Sequence, residues 1–213
     1  MLLTLSQSGD LQLLVIVAIA FIVAITIHEA SHALMATWLG DDLPRLDGRV
    51  TLNPLRHLDP LGTIMIAIAA FGWGRPVLVN PFRLRYGVNR GMALVALAGP
   101  ASNIALAIML TPLLRQLLDS TTENPDILIR GIFLVLQLNV FLAVFNLLPI
   151  PPLDGFNVLL GIVPEETADR LNELRRFGPM SLLIVFLVIA VVPGASRIIT
   201  GPAGWVLERL LGI

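Results

Sequence analysis

The sequence predicts an all-α, polytopic membrane protein: a core of three membrane-crossing helices, a short β-hairpin, and additional helices toward the C-terminus. Three observations predict it. Of 213 residues, 56% are hydrophobic and 14% charged, where ordinary globular domains carry about a quarter charged residues. Mean hydropathy is +0.84, and the apolar residues gather in stretches near the ~20 residues that cross a bilayer core. Proline and glycine close those stretches, Pro149 after one and Pro193-Gly194 after another. All fourteen basic residues are arginine and the formal net charge is −1. No basic tract is present, so no nucleic-acid partner is expected. There is no cysteine, which excludes disulfides and leaves nitrogen and oxygen as the ligands for any metal.

The elements follow in order. Met1 to Asp10 has no basic residue and no small-residue cleavage site follows, so the first span is expected to stay in the mature protein. Leu11 to Leu39 is apolar apart from a few residues, among them Gln12, Thr26 and Thr37, and could form one helix of ~42 Å, enough to cross and protrude. Asn53 to Pro60 is a proline-bounded polar loop. Leu61 to Phe71, about a dozen residues, suits a re-entrant or interfacial segment better than a full crossing. Gly72-Trp73-Gly74-Arg75-Pro76 and Val77-Leu78-Val79-Asn80-Pro81 mix glycine, proline, aromatic and β-branched residues, which predicts a short bulged hairpin over an ordinary connecting loop. Gly91 to Leu114 is the second span and Gly131 to Leu148 the third. Met180 to Val192 is shorter and would cross only with help from its flanks.

The chemistry is written in the first span. His28-Glu29-Ala30-Ser31-His32 spells H-E-x-x-H. On a helix its histidines stand at i and i+4, one turn apart on one face, where both imidazoles can bind one zinc ion. Glu29 projects beside them as a general base toward a metal-activated water. Ionisable side chains inside an apolar span are costly and mark function by default. The bland alternatives are a chance match, a structural zinc or a transport site. This arrangement reads as a metalloprotease with its active site inside the membrane.

The third ligand is either His57, the only other histidine, or a carboxylate. His57 lies in the polar loop, where a histidine is more often a surface or interfacial residue. Asp154 follows Pro149-Ile150-Pro151-Pro152-Leu153 directly after a span. Three prolines in four positions stop the helix and force extended backbone. Such backbone at membrane depth is tolerated only inside protein or along a wet cavity. Asp154 is therefore expected to be the ligand, the alternative being a cap for a helix over Phe156 to Ile162. His28 to His32 lies toward the C-terminal end of its span, so Asp154 reaches it only if the first and third spans run in the same direction. That holds if Leu61 to Phe71 turns back and Gly91 to Leu114 makes the single return. Residues 40–60, 72–91 and 149–178 then share one side with ten arginines, while 115–130 has only Arg115 and Arg130 at its edges. The positive-inside rule makes the arginine-rich side cytoplasmic.

Taken with Ala98-Gly99-Pro100-Ala101-Ser102-Asn103 and Asn146-Leu147-Leu148-Pro149-Ile150-Pro151-Pro152-Leu153-Asp154-Gly155, the H-E-x-x-H stretch resembles the site-2 protease family of intramembrane zinc metalloproteases. The resemblance spans roughly residues 15–160, and Asn53 to Gly62 with the Gly72 to Pro81 stretch resembles the small branch lacking PDZ and CBS domains. It implies three helices around one zinc ion, with His28, His32 and Asp154 as ligands and Glu29 as catalytic base. It implies that Asn103 and Asn146 hold the substrate or its oxyanion, and that the Gly72 to Arg85 β-hairpin is membrane-associated, lying against the membrane and presenting an edge to substrate. From residue type alone the asparagines would be interhelical hydrogen bonders, as Gln137 and Asn139 are taken to be packing or water-path residues. The family's aspartate commonly follows Asn-Pro, whereas here Pro151-Pro152-Leu153 precedes Asp154.

The expected organisation is one intramembrane metalloprotease domain over 1–213, with a catalytic core of about 11–160 and a C-terminal helical segment over 161–213. The expected activity is zinc-dependent hydrolysis of peptide bonds within or near transmembrane segments, as in regulated intramembrane proteolysis. Its expected partners are a transmembrane protein substrate and the lipid bilayer, in a bacterial or archaeal cell membrane. The alternatives are a divalent metal-ion transporter using the same cluster and a silent relative that retains membrane proteins. Transporters commonly show repeated halves, and no internal repeat is present.

Overall fold

The structure, a computed structural model, describes residues 8–69, 72–120 and 127–212. Three expectations touch positions outside the described residues: the leaderless N-terminus at 1–7, the end of the re-entrant segment at 70–71, and the middle of the sparsely basic connection at 121–126. The described residues form helices α1 (Ser8–Trp38), α2 (Leu43–Leu46), α3 (Pro60–Ala69), α4 (Val88–Asp119), α5 (Ile127–Asn146), α6 (Asp154–Ile162), α7 (Glu165–Asn172), α8 (Gly178–Val191) and α9 (Arg197–Leu211). Among them α1, α4 and α5 are long and apolar enough to cross a membrane. These are the three expected spans with shifted ends: α4 is longer at both ends, and α5 begins at Ile127 and stops at Asn146, short of Leu148.

Every fourth residue along one face of α1 is buried: Ala20, Ala24, His28, His32 and Ala36. Small side chains there let α4 approach closely, which is how helices associate where no hydrophobic effect drives them together. Ala24 and His28 meet Asn103, and His32 meets Val95. Rising numbers on α1 thus face falling numbers on α4, so the two are antiparallel. Ile16 of α1 packs against Gly131 near the start of α5, and Asn103 links Ala24 to Asn139 farther along. Helices α1 and α5 therefore run in the same direction, as the position of Asp154 requires.

Between α1 and α4 the described residues contain no helix long enough to cross a membrane. Leu58, before α3, pairs with Gly74, after it, in an isolated antiparallel bridge. The chain has come back to where it left. The expected hairpin over 72–81 is corrected here: the described residues contain no strand, and 72–80 is a single extended segment. Its pairing is with the loop before α3 instead, through Arg75 N–H donating to the His57 carbonyl at 2.7 Å. Pro76 and Pro81 lack the N–H that a self-paired hairpin ladder would use.

After the proline run, α6 folds back on the first turns of α4, with Gly161 beside Ala93 and Asn89. Helix α9 lies along α4 and α5, its Ala203 joining Ala107, Leu114, Ile129, Leu136 and Val140 in one core cluster. It lies in the expected C-terminal helical segment, with Gly201, Pro202, Gly204 and three charged residues blurring its bounds in the sequence.

Candidate active site

The straight ladder of α1 carries His28 and His32 to one face, and the turn into α6 brings Asp154 to meet them. Asp154 Oδ2 lies 3.0 Å from His28 Nε2 and 3.2 Å from His32 Nε2. Both histidines are buried, and one donor atom from each of the three residues lies within 4.8 Å of the others. Zinc ligated tetrahedrally at about 2.0–2.1 Å places neighbouring ligand atoms roughly 3.4 Å apart, so the trio has the dimensions of a zinc shell. Asp154 is the first residue of α6, with Leu153 in the N-cap position, so the helix-cap alternative is not what the structure shows. Carboxylates are favoured at that end by the helix dipole. The residue after it must be glycine, because a Cβ at Gly155 would overlap the Leu147 carbonyl. Gly99 meets the same condition on α4. A Cβ there would overlap the His32 imidazole and stand 2.8 Å from His28 Cε1.

The outer nitrogens of both rings are fixed. His32 Nδ1 lies 2.7 Å from the Val95 carbonyl oxygen. A carbonyl only accepts, so Nδ1 carries the proton and Nε2 keeps its lone pair for the cluster. His28 Nδ1 lies 2.6 Å from Asn103 Oδ1. The Asn103 amide is held in that orientation because its Nδ2 donates to the Ala24 carbonyl at 3.0 Å and to Asn139 Oδ1 at 2.7 Å. Asn139 in turn donates to the Val135 carbonyl. Asn103 is fully buried, with oxygen and nitrogen both engaged. It is brought to the histidines but not to the cavity, unlike the substrate contact the resemblance implies. Asn139, expected only to pack or line a water path, completes the chain.

A cavity of about 440 Å³ opens over the cluster, lined by His28, Glu29, His32, Asp154 and Asn146 together with Trp73, Val77 and Val79 of the extended segment and Leu182 of α8. Asn146 donates to the Leu142 carbonyl at 3.0 Å, and its NH₂ group carries a second N–H. Glu29 lies at the wall of this cavity, its side chain 13% exposed.

His57 is not the surface residue its loop suggested. It is fully buried, with Nε2 2.8 Å from the Thr51 carbonyl, and it lies outside the ligand cluster. Burial pushes its imidazole below the usual histidine range. The 3-10 turn Pro54–Arg56, capped by Asn53, folds it under the extended segment. Arg49 was not singled out in the sequence at all, yet it is 1% exposed and lies beside Glu29. An arginine in a polar loop carries no local signal of burial.

Residues 120–191 match the model of Peptidase family M50. The chain is 39% identical to "Putative zinc metalloprotease YwhC" of Bacillus subtilis over 89% of its own length and 86% of that protein's. It is 31% identical to "Putative zinc metalloprotease Rip2" of Mycolicibacterium smegmatis, covering 86% of this chain and 69% of the relative. The protein of the same name from Mycobacterium tuberculosis is 34% identical, over 81% and 67% of the two lengths. No solved structure matches the chain.

Proposed function

We propose, from the premise that this chain belongs to peptidase family M50, the site-2 protease family, and is a zinc metalloprotease, that it hydrolyses peptide bonds within or near transmembrane segments of other membrane proteins. The observation that carries the reading is the convergence of His28 and His32, beside Glu29 on the span-length α1, with Asp154 at the start of α6, under a cavity lined by the extended segment. Imidazole nitrogen and carboxylate oxygen are the donors zinc takes in hydrolases that keep a fourth position open. Asp154 Oδ2 is buried without a hydrogen-bond donor of its own, which fits a ligand atom. One ion is proposed, with His28, His32 and Asp154 as its protein ligands. When bound, zinc supplies a Lewis acid that polarises the carbonyl and lowers the pKa of water to about 7.

The chain's own groups do the rest. Glu29 accepts the proton of the attacking water and returns it to the leaving amine. Asn146 lines the same cavity, and its second N–H is the group proposed to stabilise the developing oxyanion. Asn103 serves by holding His28 in the ligating tautomer. A transmembrane helix conceals its peptide bonds in its own hydrogen-bond ladder and must be opened before attack. Strand addition along the extended segment would hold the opened peptide and replace those bonds. The protein is proposed to be multi-pass, with this site toward the cytoplasmic leaflet, on the side where the loop arginines concentrate.

The test is cleavage of a tagged single-span substrate in liposomes by wild type and Glu29→Gln, with bound zinc measured in both. Cleavage by wild type alone, with zinc retained in the variant, is the expected result. Cleavage that persists in Glu29→Gln removes the proposed base. Zinc bound to both with no cleavage by either would favour the transport reading, which a zinc-flux measurement in the same liposomes then decides.

A further inference from the structure

Arg49 is a fully buried cation that the hydrolytic scheme above leaves unused. Its guanidinium reaches two different parts of the site. Nη2 lies 3.9 Å from Glu29 Oε2 and also donates to the Arg75 carbonyl, while Nη1 donates to the Pro76 carbonyl at 3.2 Å. Asp47 lies at the edge of ion-pair distance, 4.0 Å from Nη1. Burying a guanidinium is costly unless its donors and charge are matched; here Nη1 and Nη2 bond the backbone of the cavity-lining segment and the charge faces the proposed base, while Nε is buried without a partner.

The other attachments of that segment lie on either side of these carbonyls. Gly74 bridges to Leu58, Arg75 N–H bonds to the His57 carbonyl, and Asn80 N–H bonds to Asp41 Oδ2 at 2.6 Å. Arg49 is a side-chain link that runs from the segment to α1. Gly74 is itself pressed against α1, a Cβ there standing 2.8 Å from Ile25 Cγ2 and 3.3 Å from Glu29 Cγ.

We infer that Arg49 is a positioning residue that couples the catalytic base to the substrate edge, one guanidinium holding both the Glu29 carboxylate and the Arg75–Pro76 backbone. The inference rests on the protease reading for its kinetic consequence, not for its structural one. It also narrows the edge. The carbonyls of Arg75 and Pro76 are engaged, and Pro76 has no N–H, so Val77 to Val79 is the stretch left for an incoming peptide. Arginine suits the task because its fork reaches separate acceptors at once, where a lysine ammonium is a single point of charge.

The experiment compares wild type, Arg49→Lys and Arg49→Met, each with bound zinc measured, by cleavage kinetics and by hydrogen exchange over residues 72–80. Lysine can stay beside Glu29 but cannot bridge to both carbonyls. Arg49→Lys is therefore expected to raise KM about tenfold while kcat stays within about threefold. Methionine removes both holds, so Arg49→Met is expected to lower kcat about a hundredfold as well, the scale of a misplaced catalytic group. Zinc content stays at the wild-type level in both. Exchange over 72–80 is expected to quicken in both variants, with α5 unchanged. Wild-type KM and kcat in folded, zinc-loaded Arg49→Met would overturn the inference, as would unchanged exchange over 72–80. If Arg49→Met does not fold, Arg49→Lys decides: wild-type KM and exchange would overturn the coupling. If wild type cuts no substrate, the protease reading fails separately, and the exchange measurement alone decides whether Arg49 holds the segment.

Discussion

Asn103 is proposed to act on chemistry it never touches. Its oxygen faces His28 Nδ1, and its nitrogen is anchored by Ala24 and Asn139, so the amide cannot flip without losing both donor bonds. Partners of this kind tune metal affinity by about 10–100-fold. Asn103→Leu is expected to weaken zinc binding by about that range, with KM unchanged at saturating zinc, as read by chelator competition and kinetics. A raised KM with wild-type zinc affinity would instead make Asn103 a substrate contact. His28, Glu29 and His32 were legible as a group because i, i+4 spacing is built into a helix. The role of Asn103 was not, because its partner His28 lies 75 residues away in the chain. Arg49 escaped for the same reason: its acceptors are backbone carbonyls of a distant segment, and carbonyls leave no mark in a sequence.

At the scale of elements, the extended segment 72–80 is where expectation and structure differ most. Its composition pointed to extended backbone, and extended backbone it is. Its partner was misassigned, because turn residues announce a reversal without saying which neighbour the chain will meet. With 74–76 engaged, Leu78 stands within the remaining edge and is 64% exposed. Leu78→Pro removes one backbone donor there and is expected to slow cleavage about five- to tenfold, the worth of roughly one hydrogen bond, with zinc retained. Unchanged turnover with a transmembrane substrate would sink strand addition at this edge. Helix α9 falls in the expected C-terminal helical segment, but its bounds were not legible, for a different reason. Gly201, Pro202 and Gly204 lower its local helix preference, and packing against α4 and α5 supplies what propensity does not.

For the whole molecule, the parallel course of α1 and α5 places 39–60, 72–91 and the α6 region at one end of the bundle, as the contacts of Arg85 N–H with the Leu39 carbonyl and of Gly161 with Ala93 require. The arginine distribution predicts that this end faces the cytoplasm. The natural absence of cysteine makes the test free of background: in sealed inside-out vesicles, Leu46→Cys is expected to react with an impermeant maleimide and Ser120→Cys only after permeabilisation. The opposite pattern would reverse the orientation. The sequence by itself determined the membrane-spanning class, the three spans and the H-E-x-x-H face, because hydropathy and helical periodicity are local properties of the chain. It also pointed to Asp154, because three prolines after a span leave few structures the bilayer tolerates. Only the tertiary structure decided that Asn103 turns toward His28, that His57 is buried apart from the cluster, and that Arg49 joins Glu29 to the cavity wall. Each depends on how closely distant backbones approach, and that distance is set by packing across helices rather than by any residue's own preference.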